Sequence, residues 1–125
     1  MTGMETSSAR RSAGSATRPA GIARGPGHVV VYGNRAFRAA FGDAAVGLPA
    51  RESMLGLPSS AFALLDSVYG EGRPLARWVR RDGEVWRITA VPRRDVDTGA
   101  VYGLAFHLRA RDDLPIVAEE GEQGS

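Results

Sequence analysis

Asp82-Gly83 lies between two runs, residues 75–80 and 84–91, in which apolar and polar side chains alternate. A period of two sends successive side chains to opposite faces of a strand, and Asp-Gly supplies the two positive-φ positions of a two-residue hairpin turn. An antiparallel hairpin is therefore expected, and its turn fixes the register. Arg81 opposes Glu84, Val79 opposes Trp86 and Arg77 opposes Ile88. One face then presents Leu75, Val79, Trp86, Ile88 and Ala90; the other presents Trp78, Arg80, Val85, Arg87 and Thr89. Only the first is apolar enough to be core. After a break at residues 95–99 the alternation resumes over 101–109. There Tyr102, Leu104, Phe106 and Leu108 form the apolar set, and His107 and Arg109 take the outer face.

The first half of the chain reads differently. Gly25-Pro26-Gly27 is a turn, followed by the β-branched strand 28–32, and a shorter strand at 21–24 pairs with it. Asn34 is placed to cap a helix bearing Phe37, Ala40 and Phe41, which Gly42 stops. Residues 44–57 suggest short helical turns broken by Gly47, Pro49 and Gly56. Ser59 or Ser60 caps a second helix with the stripe Phe62, Leu65, Val68 and Tyr69, ended by Gly70, Gly72 and Pro74. Strands, helices, then a three-stranded meander imply an α+β fold, an antiparallel sheet with short helices packed on one face. Residues 1–19 offer almost nothing to bury and read as a disordered leader; 20–112 form the domain; 113–125 form a flexible acidic tail.

Absences narrow the chemistry. The chain has no cysteine, and all sixteen of its basic residues are arginines. Disulfides, thiolate nucleophiles, thiolate zinc sites, Schiff bases and a P-loop lysine are thereby excluded. Glu52, Asp66 and Glu71 have neither a histidine nor a second carboxylate at a useful spacing, so no catalytic constellation is read and the chain is not expected to be an enzyme. No apolar run is long enough to span a bilayer, and no secretory signal follows Arg10 and Arg11, so a cytoplasmic protein without membrane contact is expected.

The order Gly25-Pro26-x-His28, then Asn34, Phe41-Gly42, Val46-Gly47-Leu48-Pro49, and the run from Leu64 to Gly72-Arg73-Pro74 resembles a bacterial PAS domain. Trp86 to Pro92 and Gly99 to Gly103 are similar to that family's last two strands. The resemblance implies a five-stranded antiparallel sheet cupping helices around a ligand-filled or empty pocket. It further implies a module that senses, dimerises or passes a signal on. No output segment follows, so the signalling partner is expected in another chain.

Val29, Val31, Phe37, Phe41, Leu55, Phe62, Leu65, Trp86, Ile88, Leu104 and Phe106 are expected to converge between sheet and helices. They form either a closed core or a cavity for a small apolar ligand, with Trp86, Tyr102 or Ser53 as polar handle. On the outer face, Trp78, Arg80, Val85, Arg87 and His107 are the candidate interface for a homodimer or a protein partner. No cofactor is expected. In haem-binding PAS domains the axial histidine comes from the helical side, and no histidine lies between Asn34 and Pro74. His28, beside a turn, suits a local hydrogen bond, and no metal site is read. The light-sensing subfamily needs a cysteine. Two other readings stay open: a small α+β ligand-binding or lyase-like protein acting on a hydrophobic molecule, and an arginine-rich nucleic-acid binder. Interspersed Asp82, Glu84 and Asp95 disfavour the last.

Overall fold

The computed structural model describes residues 18–111. The leader and tail expectations therefore lie outside the described residues, apart from Arg18, Pro19 and the domain's final turn. Two short strands open the fold, β1 (Ala20–Arg24) and β2 (Val29–Gly33). Helix α1 (Arg35–Phe41), a 3-10 turn at Asp43–Ala45, the single-turn α2 (Ala50–Ser53) and α3 (Ser59–Glu71) follow. The meander β3 (Leu75–Arg81), β4 (Glu84–Arg94) and β5 (Val101–Ala110) closes it. The five strands form one antiparallel sheet in the order β2-β1-β5-β4-β3.

The hairpin register is the expected one: Arg81 faces Glu84, Val79 faces Trp86, Arg77 faces Ile88 and Leu75 faces Ala90. Asp82 and Gly83 carry φ of 51° and 83°, as a type I′ turn requires. β4 runs past Pro92 to Arg94, three residues beyond the expected end. β3 pairs with it only as far as Ala90, so beyond that point β4 has β5 on one side alone, and a missing N–H is tolerated there.

Asn34 joins the two halves of the fold. Its Oδ1 accepts from the amides of Phe37 at 2.8 Å and Ala20 at 3.1 Å, and its Nδ2 donates to the Arg18 carbonyl at 2.9 Å. One side chain thus caps α1 and anchors the start of β1. Gly33 is required beside it, because a Cβ there would run into the Phe37 ring. α3 departs from expectation at its start: Pro58 occupies the cap position and no side chain caps the helix. It also runs through Gly70, ending at Gly72 in the left-handed conformation.

Phe37, Met54, Leu64, Leu65, Val68, Ile88, Leu104, Phe106 and Leu108 fill the space between sheet and helices. Three residues expected there lie outside: Val31 and Leu55, and also Val29, which stands opposite outward Arg24 and leaves the buried place to Val30. Val31 is 47% exposed because the β1–β2 ladder skips a residue: Ile22 pairs with Tyr32 but Ala23 pairs with Val30. The bulge turns Val31 out of the alternation. Leu55 is 68% exposed because α2 ends before it, and Met54 takes the buried place instead.

The sheet's two edges are finished differently. On β2, Val30 exchanges backbone hydrogen bonds with Gly47 and Leu48, so a loop covers that edge. On β3, Arg77 and Arg81 point inward and reach helix carbonyls: Arg77 Nη1 donates to Ser60 O and Arg81 Nη2 to Ala40 O, both at 3.1 Å. The Arg81 guanidinium also sits 4.5 Å over the Phe41 ring.

Candidate functional site

The space between the layers is the first candidate. α1 contributes Phe37, whose ring centroid lies 5.0 Å from Phe41 and 5.9 Å from Phe106. α3 contributes Phe62 and Leu65, and the strands contribute Ile88, Leu104 and Phe106, all buried. Phe41 and Trp86 are half-buried against them. Eight of the eleven residues expected to converge thus gather here, and Val29, Val31 and Leu55 do not. Met54, Leu57 and Leu64 belong to the same cluster and were missed. Met54 adjoins Leu55, and periodicity could not choose between neighbours across a helix of one turn.

The polar content of this layer is small. Ser53 Oγ, Trp86 Nε1 and His28 Nδ1 are buried without a hydrogen-bond partner among the described residues. Ser53 and Trp86, two of the three residues expected as polar handles, thus have their polar atoms buried. Tyr102 is instead 37% exposed at the end of the sheet. It lines an open groove of 590 Å³ with Arg24, Val29, Val31, Tyr69 and Val101.

His28 corrects an expectation. It was expected to bond locally, and Asp66 to lack a histidine. Its Nε2 in fact meets Asp66 Oδ1 at 2.7 Å, across 38 residues of sequence. His28 takes a left-handed φ of 53° in the turn, which sends its ring under α3 against Tyr69. One ring nitrogen is engaged by Asp66 and the other is buried without a hydrogen-bond partner among the described residues. The pair ties the β1–β2 turn to α3.

The outward face of the sheet is the second candidate. The register lines its side chains into rows across the strands. Trp78, Arg87 and Arg109 form one; Thr89, His107 and Ala20 the next; then Val91, Ala105, Ile22 and Tyr32; then Arg93, Gly103 and Arg24. Arg80 and Val85 lie beyond Trp78. The five expected interface residues Trp78, Arg80, Val85, Arg87 and His107 do share this face. Arg87 stacks 5.5 Å over Trp78, and Arg93 5.9 Å over Tyr102. Among the described residues, the outward strand positions hold five arginines (Arg24, Arg80, Arg87, Arg93 and Arg109) and no carboxylate. Partial burial holds the His107 pKa below its ordinary value, and the positive charges of Arg18, Arg109 and Arg87 push the same way.

No protein-family model matches the sequence, and no curated protein matches it. Solved structures do match in shape. The sensory box sensor histidine kinase from Vibrio cholerae aligns with a TM-score of 0.64 at 10% identity, covering 88% of this chain and 95% of that one. The PAS domain of BvgS from Bordetella pertussis aligns with a TM-score of 0.60 at 18% identity, over 97% of this chain and 99% of that domain. VqmA of Vibrio cholerae, in a complex with ligand and DNA, aligns with a TM-score of 0.59 at 18% identity, over 86% of this chain and 53% of its own. A five-stranded antiparallel sheet in the order 2-1-5-4-3, with short helices on one face and coverage of whole PAS domains, shows that this chain has the PAS-like fold.

Proposed function

We propose that the chain is a signal-sensing module without catalytic activity. In this reading a small apolar ligand between sheet and helices sets its state, and the outward face carries the response to a signalling partner or a second copy in the cytoplasm. The observation that carries the reading is the pair of orphaned polar atoms in the apolar layer, Ser53 Oγ and Trp86 Nε1. A buried group left without a partner costs about 1–3 kcal/mol, so each such atom calls for an occupant. Trp86 Nε1 can only donate and a serine hydroxyl both donates and accepts. A ligand that suits them is apolar over most of its surface and carries an acceptor, such as a carbonyl or ring nitrogen. Two kinds of neighbour support the assignment. Sensor histidine kinases share the fold, and VqmA shares it in a structure solved with a ligand.

Native mass spectrometry of the purified chain tests this. The expected spectrum shows a species heavier than the polypeptide by one small molecule, which disappears on denaturation. Ser53→Ala and Trp86→Phe should each reduce the retained fraction. A spectrum of bare polypeptide, together with no thermal shift across a library of small apolar carbonyl and heterocyclic compounds, would refute it.

A further inference from the structure

The open groove of 590 Å³ at the end of the sheet has a lining of two kinds. Val29, Val31 and Val101 with the rings of Tyr69 and Tyr102 make it apolar and aromatic, and Arg24 beside the Gly25 turn supplies one positive charge. We propose that this groove binds a small carboxylate with an aromatic or branched aliphatic body. The carboxylate sits on Arg24, and the body lies against the valines and the two tyrosine rings. Ser53 and Trp86 do not line the groove, so it is a second site, and neither it nor the interior reading needs the other.

Its walls come from β1, β2, α3 and β5, and these are tied to one another. The amide of Gly25, in the β1–β2 turn, donates to the Tyr102 carbonyl of β5 at 2.9 Å. The contact between His28 and Asp66 ties the same turn to α3, with the Tyr69 ring edge-on to the His28 ring at 5.8 Å. Arg94 completes the frame: it donates to the carbonyls of Gly72, just past α3, and Gly99, just before β5. A cleft whose walls are braced in this way stands open before a ligand arrives, so binding costs little ordering. Its volume falls in the range of about 300–1,000 Å³ usual for small-molecule sites.

Charge selects the head of the ligand. Arg24 is exposed at the end of β1, and among the described residues its guanidinium pairs with no carboxylate. No carboxylate lines the groove either. Arg93 strengthens the positive field from the neighbouring wall, 5.9 Å from the Tyr102 ring. A guanidinium offers two parallel N–H groups whose spacing matches the two oxygens of a carboxylate. Shape and polarity select the body, because every other side chain of the lining is a valine or a tyrosine. Inorganic phosphate is the weaker occupant, since it would leave that apolar surface unused.

Nuclear magnetic resonance of the isotope-labelled full chain tests it, with phenylacetate, phenylacetamide, acetate and inorganic phosphate titrated at constant pH and ionic strength. Phenylacetate should shift the amide signals of Gly25, Val31, Tyr69 and Tyr102 saturably, with a Kd of about 1 mM or tighter. Phenylacetamide lacks the charge and acetate lacks the body, so each should bind at least about tenfold more weakly. Arg24→Gln should weaken phenylacetate by about the same factor and leave phenylacetamide unchanged, while unmoved Ile88 and Leu104 signals report an intact fold. Shifts that never saturate, or that acetate and phosphate reproduce in full, mark an adventitious ion only and overturn the proposal. Shifts confined to the surroundings of Ser53 and Trp86 also overturn it, because they put the probe in the interior and leave the groove empty. So do groove signals that move when the protein alone is diluted, which mark a second copy as the occupant.

Discussion

Replacing Asn34 by alanine removes three hydrogen bonds at once and strands the groups that made them. The Phe37 amide loses its cap, the Ala20 amide loses its acceptor and the Arg18 carbonyl loses its donor. Loss of a helix cap costs about 0.5–2 kcal/mol, and an ordinary net hydrogen bond contributes about 0.5–1.5 kcal/mol. The site is partly buried, so water recovers some of the loss at β1, and a total of about 2–3 kcal/mol is expected. For a domain of this size that lowers Tm by about 10–20 °C. Asn34→Asp supplies the discriminating comparison. It keeps both accepting contacts and sacrifices only the bond to Arg18, so it should cost about 1 kcal/mol. Urea unfolding followed by circular dichroism reads both, with equal slopes required before the midpoints are compared. Hydrogen exchange adds a local signature, because the Ala20 and Phe37 amides should lose protection in the alanine variant and keep it in the aspartate one. If the two variants match within about 0.5 kcal/mol, the double anchoring role assigned to Oδ1 is wrong.

Two further outcomes are expected from the packing of Phe37 and the surroundings of His107. Phe37→Ala should destabilise by about 3–5 kcal/mol, because it empties a fully buried ring site, whereas Leu55→Ala should stay within about 0.5 kcal/mol; denaturant midpoints check both. His107 binds protons more weakly folded than unfolded, so its contribution to stability is present above its unfolded value near 6.5 and is lost as pH falls toward the folded value. Stability measured from pH 7.5 to 5 should therefore decline through that window, and His107→Gln should flatten that part of the decline.

The meander was legible because its information is local. Asp82-Gly83 dictates a turn, the turn dictates a register, and strict alternation then assigns every side chain from Leu75 to Ala90 to a face. Asn34 was legible for the same reason, as a cap three residues before a buried phenylalanine, although its second and third bonds reach back to β1 and were not. What escaped depends on contacts distant in sequence. The skipped residue in β1–β2 is set by how β1 aligns with both β2 and β5, and nothing near Val31 announces it. His28 and Asp66 meet because a left-handed turn points a ring beneath a helix 38 residues later. Of the candidate site, the outward set from Trp78 to His107 followed from parity alone. The inward set failed where regular geometry stops, at the bulge, beside which Val29 and Val31 yield the inward place to Val30, and at the end of a single-turn helix.

The arginines of β3 bear on how copies of this protein can assemble. An open strand border normally invites another chain to extend the sheet sideways, the route by which many sheets run on into fibres. Here the free border is studded with guanidinium groups, two of them drawn inward to helix carbonyls, so a strand arriving alongside would meet cationic side chains before any backbone partner. Lateral growth is thereby discouraged.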